Sequence, residues 1–274
     1  MGKKKGKGKE YNYDYDGYLL FQGEYLKGKK NGFGKVFKDD GKLRFEGEFI
    51  NNKKLIGKEY NDNGQLIFEG KYKNDFKWKG NGKEYDHKGN LIFEGKYINR
   101  KKNGFGKEYD SYNRLIFEGK YINGEKNGIG KEYYFDKLEF EREFLNGKIY
   151  KEKKYNNNGK LILEIDLINN EKFKGKEYNN DGAIIFEGEY SSGYKNGKGK
   201  EYNNDGILVF EGEYSFGNKN GKEKEYGING NIIFEGEYLK GKRNGRGKEY
   251  YCNGIAIFEA DYLNGQKQGY CKIY

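Results

Sequence analysis

Leu115 to Tyr133 reads LIFEGKYINGEKNGIGKEY. Leu115, Phe117, Gly119 and Tyr121 alternate with Ile116, Glu118 and Lys120, a period of two that predicts a β-strand. Residues 123–128, Asn-Gly-Glu-Lys-Asn-Gly, are turn formers, since Asn and Gly tolerate the positive φ of tight hairpins. A shorter strand, Ile129 to Tyr133, follows. In Gly130-Lys131-Glu132-Tyr133 strict alternation puts Tyr on the face opposite Gly. Either a bulge intervenes or aromatics occupy both faces, and the residues leave both open.

This stretch recurs along the chain. Its opening aromatic or Leu falls at Phe21, Phe45, Phe68, Phe93, Phe117, Phe140, Leu163, Phe186, Phe210, Phe234 and Phe258, at intervals of 23–25 residues. Such a period marks a repeat architecture, here of eleven units. In units six and seven, about 138–178, Arg142 and Ile165 replace the usual Gly and the loop loses its Asn-Gly. Polar turns such as Asn61-Asp62-Asn63-Gly64 and Asn203-Asn204-Asp205-Gly206 join one unit to the next. No segment sustains a 3.6-residue apolar period, and Pro is absent, which suits an unbroken antiparallel ladder. The expected fold is all-β: an elongated repeat solenoid of stacked antiparallel β-hairpins forming one long twisted sheet. Residues 1–7 are expected to be a basic disordered tail and 8–274 a single array. Two strands per unit at ~4.8 Å would make the array roughly 100 Å long.

Composition supports a thin repeat rather than a globule. Hydrophobic residues make up 34% and charged residues 35%, too little apolar surface for a compact core of this length. Yet 28 Tyr and 19 Phe are far more aromatics than a disordered chain carries. In a solenoid each unit needs to bury only a few aromatics against its neighbours. No apolar run is long enough for a transmembrane helix, and MGKKKGKGKEY lacks the apolar stretch of a secretory signal. Cys252 and Cys271 have no metal-ligand spacing and read as free thiols of a reducing compartment. The net charge is +10, half of it from Lys3, Lys4, Lys5, Lys7 and Lys9. The turns within units are basic and those between units are rich in Asn, Asp and Gly, predicting a basic edge opposite a neutral-to-acidic one. Without a strong positive field on the repeat body, no nucleic-acid partner is expected.

The run Phe-Glu-Gly-Glu/Lys-Tyr, then a Lys/Asn/Gly loop, then Asn-Gly-x-Gly-Lys resembles the MORN repeat (membrane occupation and recognition nexus) over residues 8–274. Two features depart from its usual form: the aromatic stands at Gly-Lys-Glu-Tyr, and the Asn-Asn-Asp-Gly turn matches a longer variant also seen in bacterial antitoxin-like proteins. The resemblance implies a single-layer antiparallel sheet of hairpins. It also implies a role as scaffold, dimerisation element or membrane-apposed module.

No residue set points to catalysis. Glu187 and Glu189, or Glu235 and Glu237, lie two apart on a strand. They recur in many units, so a solvated face with cross-strand Lys partners is expected rather than an acid/base pair. His87 sits in a turn, only four Ser are present, and Gly32-Phe33-Gly34 is followed by strand pattern, not the helix a phosphate loop needs. Trp78 is expected in the longest loop. No cofactor and no metal are expected. The expected function is a non-enzymatic scaffold for partner proteins, cytoplasmic and peripheral to a membrane or cytoskeletal structure. Alternatives are an anionic-lipid binder, a regulatory module for an enzyme on another chain, and an antitoxin-like protein. Candidate contacts for lipid or partner are Lys3, Lys4, Lys5, Arg100, Lys101, Lys102, Lys240, Lys242 and Arg243. Tyr270, Ile273 and Tyr274 are the candidate edge of a homodimer.

Overall fold

The computed structural model describes residues 5–12, 17–167 and 172–274. They are all-β, with no helix among the described residues, and form two compact bodies: Met1–Asp136 with Phe144–Lys148, and Lys137–Glu143 with Ile149–Tyr274. In the first, β1 (Lys5–Asn12), β2 (Tyr18–Leu26), β3 (Lys29–Phe37), β4 (Leu43–Ile50), β5 (Lys53–Tyr60), β6 (Leu66–Lys73), β7 (Phe76–Tyr85), β8 (Leu91–Ile98), β9 (Lys101–Tyr109), β10 (Leu115–Ile122) and β11 (Glu125–Tyr134) follow one another. Each pairs antiparallel with the next. β12 (Lys137–Leu145) and β13 (Lys148–Tyr155) are divided between the bodies. The second continues with β14 (Leu161–Leu167), β15 (Lys172–Tyr178), β16 (Ile184–Ser191), β17 (Tyr194–Tyr202), β18 (Leu208–Ser215), β19 (Asn218–Lys219), β20 (Gly221–Tyr226), β21 (Ile232–Leu239), β22 (Lys242–Tyr250), β23 (Ala256–Leu263) and β24 (Gln266–Ile273). Here too neighbours pair antiparallel, β18 meeting both β19 and β20.

The six-residue polar run within a unit is not one loop. Asn123 (φ 53°) and Gly124 (φ 98°) make a two-residue turn of the hairpin type that needs two positive φ values. β11 therefore starts at Glu125, four residues before the expected Ile129. The second Asn-Gly lies inside the strand as a bulge, with Gly128 at φ 73° and a register shift opposite Gly119 and Tyr121. A bulge re-aims side chains, and this one brings Lys126 directly opposite Tyr121. Between units, the Asn203 carboxamide oxygen accepts the amides of Asp205 (3.0 Å) and Ile207 (2.9 Å), closing the turn from within.

Each sheet has two unlike faces. On one, Phe117 and Tyr121 are buried and flank Gly119. A Cβ built on Gly119 would lie 2.7 Å from Phe117 Cζ, and one on Gly130, its partner across the ladder, 2.6 Å from Phe117 Cε2. The ring thus lies over a pair of glycines that leaves room for it. The same Phe-over-Gly pairing recurs at Phe21, Phe45, Phe93, Phe186 and Phe234. Rings also meet edge to face along the sheet, as Phe93 does with Tyr97 at 5.8 Å and Tyr121 at 5.5 Å, the geometry aromatic quadrupoles favour. The other face carries the Glu of Phe-Glu-Gly and the Lys of Gly-Lys-Glu.

Tyr133 stands on that charged face and donates to Glu118 (2.7 Å), so aromatics do occupy both faces. A register shift at the equivalent Tyr109 accompanies the arrangement, so both readings left open by the sequence are realised. Two expectations change. Lys5, Gly6 and Lys7 belong to β1 and pair with Leu26, Tyr25 and Glu24, while residues 1–4 of the expected tail lie outside the described residues. Trp78 lies in β7 rather than a loop, its carbonyl accepting the Asn99 amide at 2.7 Å.

One unit breaks the glycine rule. Glu223 occupies a Gly position on β20 and is 3% exposed, and neither of its carboxylate oxygens has a hydrogen-bond partner. A Cβ on Gly212 would meet Glu223 Oε2 at 2.3 Å, so the two strands part here. Only Phe210–Glu225 and Glu211–Lys224 remain paired between β18 and β20. Burial pushes the Glu223 carboxyl up to about 8. The Asn220 amide, already bonded to the Glu213 carbonyl at 2.9 Å, offsets only part of this.

Two tests follow from these packings. Gly119→Val forces a side chain into Phe117 and should lower stability by ~1–3 kcal/mol, whereas Glu118→Gln keeps an acceptor for Tyr133 and should change the melting temperature little. The reverse order would mean that the faces are misassigned. For Glu223, the folded state holds the proton to a higher pH than the unfolded chain, so stability is full below the unfolded value, falls as pH rises toward about 8 and is level above it. Glu223→Gln should therefore melt above the wild type by an amount that grows between about pH 5 and about pH 9, on the order of 1–3 kcal/mol at the alkaline end. A constant gap across that range would contradict it.

Candidate functional site

On the aromatic face a polar cluster covers each Phe. Lys126 Nζ sits 3.5 Å from the centroid of Phe117 and 3.1 Å from Glu108 Oε2, and Tyr121 donates to Glu108 Oε1 at 2.7 Å. Lys102 repeats this over Phe93 (3.6 Å) with Glu84 (3.1 Å), and Lys195 over Phe186 (3.7 Å) with Glu177 (3.1 Å). A cation over a ring face gains from the ring quadrupole. The carboxylate, supplied by the preceding unit, neutralises it. Burial, then the bond to Glu108, pushes the Tyr121 hydroxyl far above its usual range. Burial would raise Glu10, but its bonds to Lys30 and Tyr25 hold it below its usual value. The cluster is closed on itself and keeps each Phe dry.

The charged face is open. In the second body one residue per strand forms a cross-strand row of alternating sign: Lys153, Glu164, Lys176, Glu187, Lys200, Glu211, Lys224, Glu235, Lys248, Glu259. A parallel row runs through Lys174, Glu189, Lys198, Glu213, Lys222, Glu237 and Arg246. Except for Lys248 and Glu259, these residues line a concavity of about 1190 Å³. Tyrosines brace it: Tyr202 donates to Glu187 at 2.6 Å, and burial, then that bond, pushes its hydroxyl up to about 12. Opposite charges facing one another across a ladder stabilise it, so the paired carboxylates are lattice members. Among the described residues no group of three or more His, Cys, Asp or Glu is arranged to hold a metal ion.

The residues singled out from sequence do not form one site. Lys3 and Lys4 lie outside the described residues. Lys5 is on β1, 3.8 Å from Glu24. Arg100 is in a turn with φ 67° and packs over Phe76 at 4.1 Å. Lys101 and Lys242 open β9 and β22, and Lys240 is in a turn. Lys102 and Arg243 are not on the basic edge. Arg243 lies 3.8 Å over Phe234 and bridges Glu225 and Glu249, each at 2.9 Å, because the bulge turns this position onto the aromatic face. Ile273 is 81% exposed, and Tyr274 donates to Glu259 at 3.1 Å. The side chain of Tyr270 lies outside the description. His87 sits in a turn in which Asp86 accepts the amides of Lys88 (2.8 Å) and Asn90 (2.9 Å). Cys252 and Cys271 are free and exposed. Sequence reasoning missed the capping Lys and the Glu of Gly-Lys-Glu. Their signal was the Lys directly before Asn-Gly-x-Gly, read as a loop charge.

No curated protein matches the chain. Among solved structures, that of TcdB2-TccC3 without its hypervariable C-terminal region is similar at 14% identity with a TM-score of 0.24, over 96% of this chain and 17% of that one. The Photorhabdus luminescens Tc holotoxin pore with the TccC3-D651A mutation is similar at 13% identity with a TM-score of 0.23, over 92% of this chain and 17% of that one. At those scores the likeness carries no argument. The chain thus spans about a sixth of the length of the chains it matches. The MORN repeat matches at four places, each a Phe-opened hairpin with a Gly pair or a polar cap of the kind described above. The chain carries MORN repeats at residues 21–42, 117–138, 186–207 and 234–255.

Proposed function

We propose that this protein is a non-enzymatic repeat scaffold of eleven MORN-type units, and that it seats a partner protein in the charged concavity of its second body. The Phe, Gly and capped-Lys arrangement recurs at hairpins beyond the four matched ones, Phe45 and Phe93 among them, which supports the larger count. One observation carries the docking reading. Two rows of alternating charge line a single hollow of about 1190 Å³, and the charges in them face opposite charges across the ladder. Such a surface offers matched polar contacts along a length, which gives specificity and register, and no polarised centre for chemistry. The partner fits best as a segment with its own alternating charges. Two exposed thiols on separate hairpins accord with a reducing, cytoplasmic setting.

The anionic-lipid reading has less to draw on, because Lys102 and Arg243 are held over rings by carboxylates. To test the scaffold reading, proteins retained from native lysate by the wild type are compared with those retained by Lys198→Glu with Lys222→Glu, which makes one row wholly acidic around Glu189, Glu213 and Glu237. Proteins identified with the wild type and lost with this variant, but kept by Arg100→Glu with Lys101→Glu, are the expected result. The same proteins on all three would refute docking in the concavity. Binding to phosphatidylserine vesicles that persists in high salt would favour the lipid reading instead.

A further inference from the structure

On the charged face of the first body a set of lysines lacks acids opposite. Three residues beyond the opening Phe, the chain carries acid at Glu24, Glu48, Glu189, Glu213 and Glu237. In three successive hairpins Lys71, Lys96 and Lys120 stand there instead, on β6, β8 and β10. No acid faces them. Lys71 is directly opposite Lys79, Lys96 opposite Asn81, and Lys120 opposite Phe105. All four lysines are exposed, and none has an ion pair or hydrogen bond among the described residues.

The nearest carboxylates in the ladder are already engaged. Glu69 lies 3.9 Å from Lys58. Glu94 is held by Lys83 (3.4 Å) and Tyr109 (2.7 Å), and Glu118 by Lys107 (3.8 Å) and Tyr133 (2.7 Å). In two of the units that have the acid it is used internally: Glu189 accepts the Lys198 amide at 3.4 Å, and Glu24 lies 3.8 Å from Lys5. A lysine has no acceptor to offer there. Like charges directly opposite on a ladder destabilise it, so Lys71 and Lys79 make a cost that the rest of the face avoids. Beside the lysines, Phe105 is 51% exposed and Ile129 57%, at the position where the second body has Lys198 and Arg246.

We propose that this strip, which lies in the first body whereas the concavity lies in the second, binds an acidic segment of a partner protein with carboxylates about 10 Å apart and apolar side chains between them. Lysines on alternate strands are ~10 Å apart, and a segment in the polyproline II conformation brings every third residue back to the same side ~9 Å further on. The apolar residues of such a segment meet Phe105 and Ile129. A polyanion with one charge every few ångströms, or a flat anionic membrane, fits worse. The row of Glu69, Glu94 and Glu118 runs parallel to the strip only ~7 Å away and repels any charge laid across it, whereas a peptide with discrete acids meets the lysines alone.

The test uses the whole chain and a fluorescent synthetic peptide repeating Glu-Leu-Ser about four times, which in the polyproline II conformation sets one acid per ~9 Å along one side. The wild type is expected to bind it, more weakly as salt rises, and to ignore a matching Lys-Leu-Ser peptide. Lys71→Glu with Lys96→Glu and Lys120→Glu introduces the residue other units carry, so its melting temperature should hold or rise, while its affinity falls at least about tenfold, or ~1.4 kcal/mol. Phe105→Lys, again a residue found at that position in the repeat, should weaken binding with melting unchanged. No binding by the wild type, equal binding by the triple variant, or a preference for oligothymidine or phosphatidylserine vesicles over the peptide would each overturn the proposal.

Discussion

A phenylalanine ring whose tip lies over two glycines is the constraint from which the rest of this structure follows. A strand pair offers that shelf only where both residues lack a Cβ, and Phe117 over Gly119 and Gly130 shows how little clearance is left. The ring then needs a lid. Lys126 supplies it, and it reaches the ring only because a bulge at Asn127-Gly128 turns it over. A cation placed there needs a counter-charge, which comes from Glu108, and the carboxylate's second oxygen orders Tyr121. Ring, shelf, bulge, cation, acid and hydroxyl form one chain of dependence, and the repeat restates it hairpin after hairpin.

This explains how a chain with 34% hydrophobic residues folds without a second layer. Such a Phe is covered from the side by aromatic edges and from above by a Lys ammonium that a carboxylate neutralises, as Phe93 is by Tyr97, Tyr121 and Lys102 with Glu84. The buried units are small and separate, so the fold has no need of a deep core. It also explains why Glu223 is costly: it puts a charge-bearing group where the design supplies no partner.

The fold was readable because period-two alternation and a recurring hairpin signal leave little choice of architecture. Strand identity, the Gly-facing-Phe relation and the cross-strand Lys partners of Glu187 and Glu235 were all legible. What was not legible depended on a single bulge. Reading Asn123 to Gly128 as one loop put Lys126, Lys102 and Arg243 at the solvent edge, and a one-residue change of register moves a side chain to the other face. Trp78 was missed for a related reason, since Lys-flanked aromatics near Asn-Asp look like loop until their backbone partners are seen. The lysine strip at 71, 96 and 120 was present in the sequence as Phe-Glu-Gly-Lys-Tyr against Phe-Glu-Gly-Glu-Tyr. Its meaning appeared only when the residues opposite were known.

In the intact units the carboxylate that steadies the lysine belongs to the hairpin before it: Glu84 serves Tyr97 and Lys102, Glu108 serves Tyr121 and Lys126, and Glu201 serves Tyr214 and Lys219. Such a hairpin is a borrower on one side and a lender on the other, whereas Val36 has no acid to lend and Lys54 turns to Glu59 of its own strand, 3.9 Å away. Copying or excising one whole unit in the gene joins a lender to an equivalent borrower and orphans nothing, whereas a break within a unit severs an acid from its hydroxyl. Inheritance can therefore lengthen or shorten this protein in steps of a single hairpin.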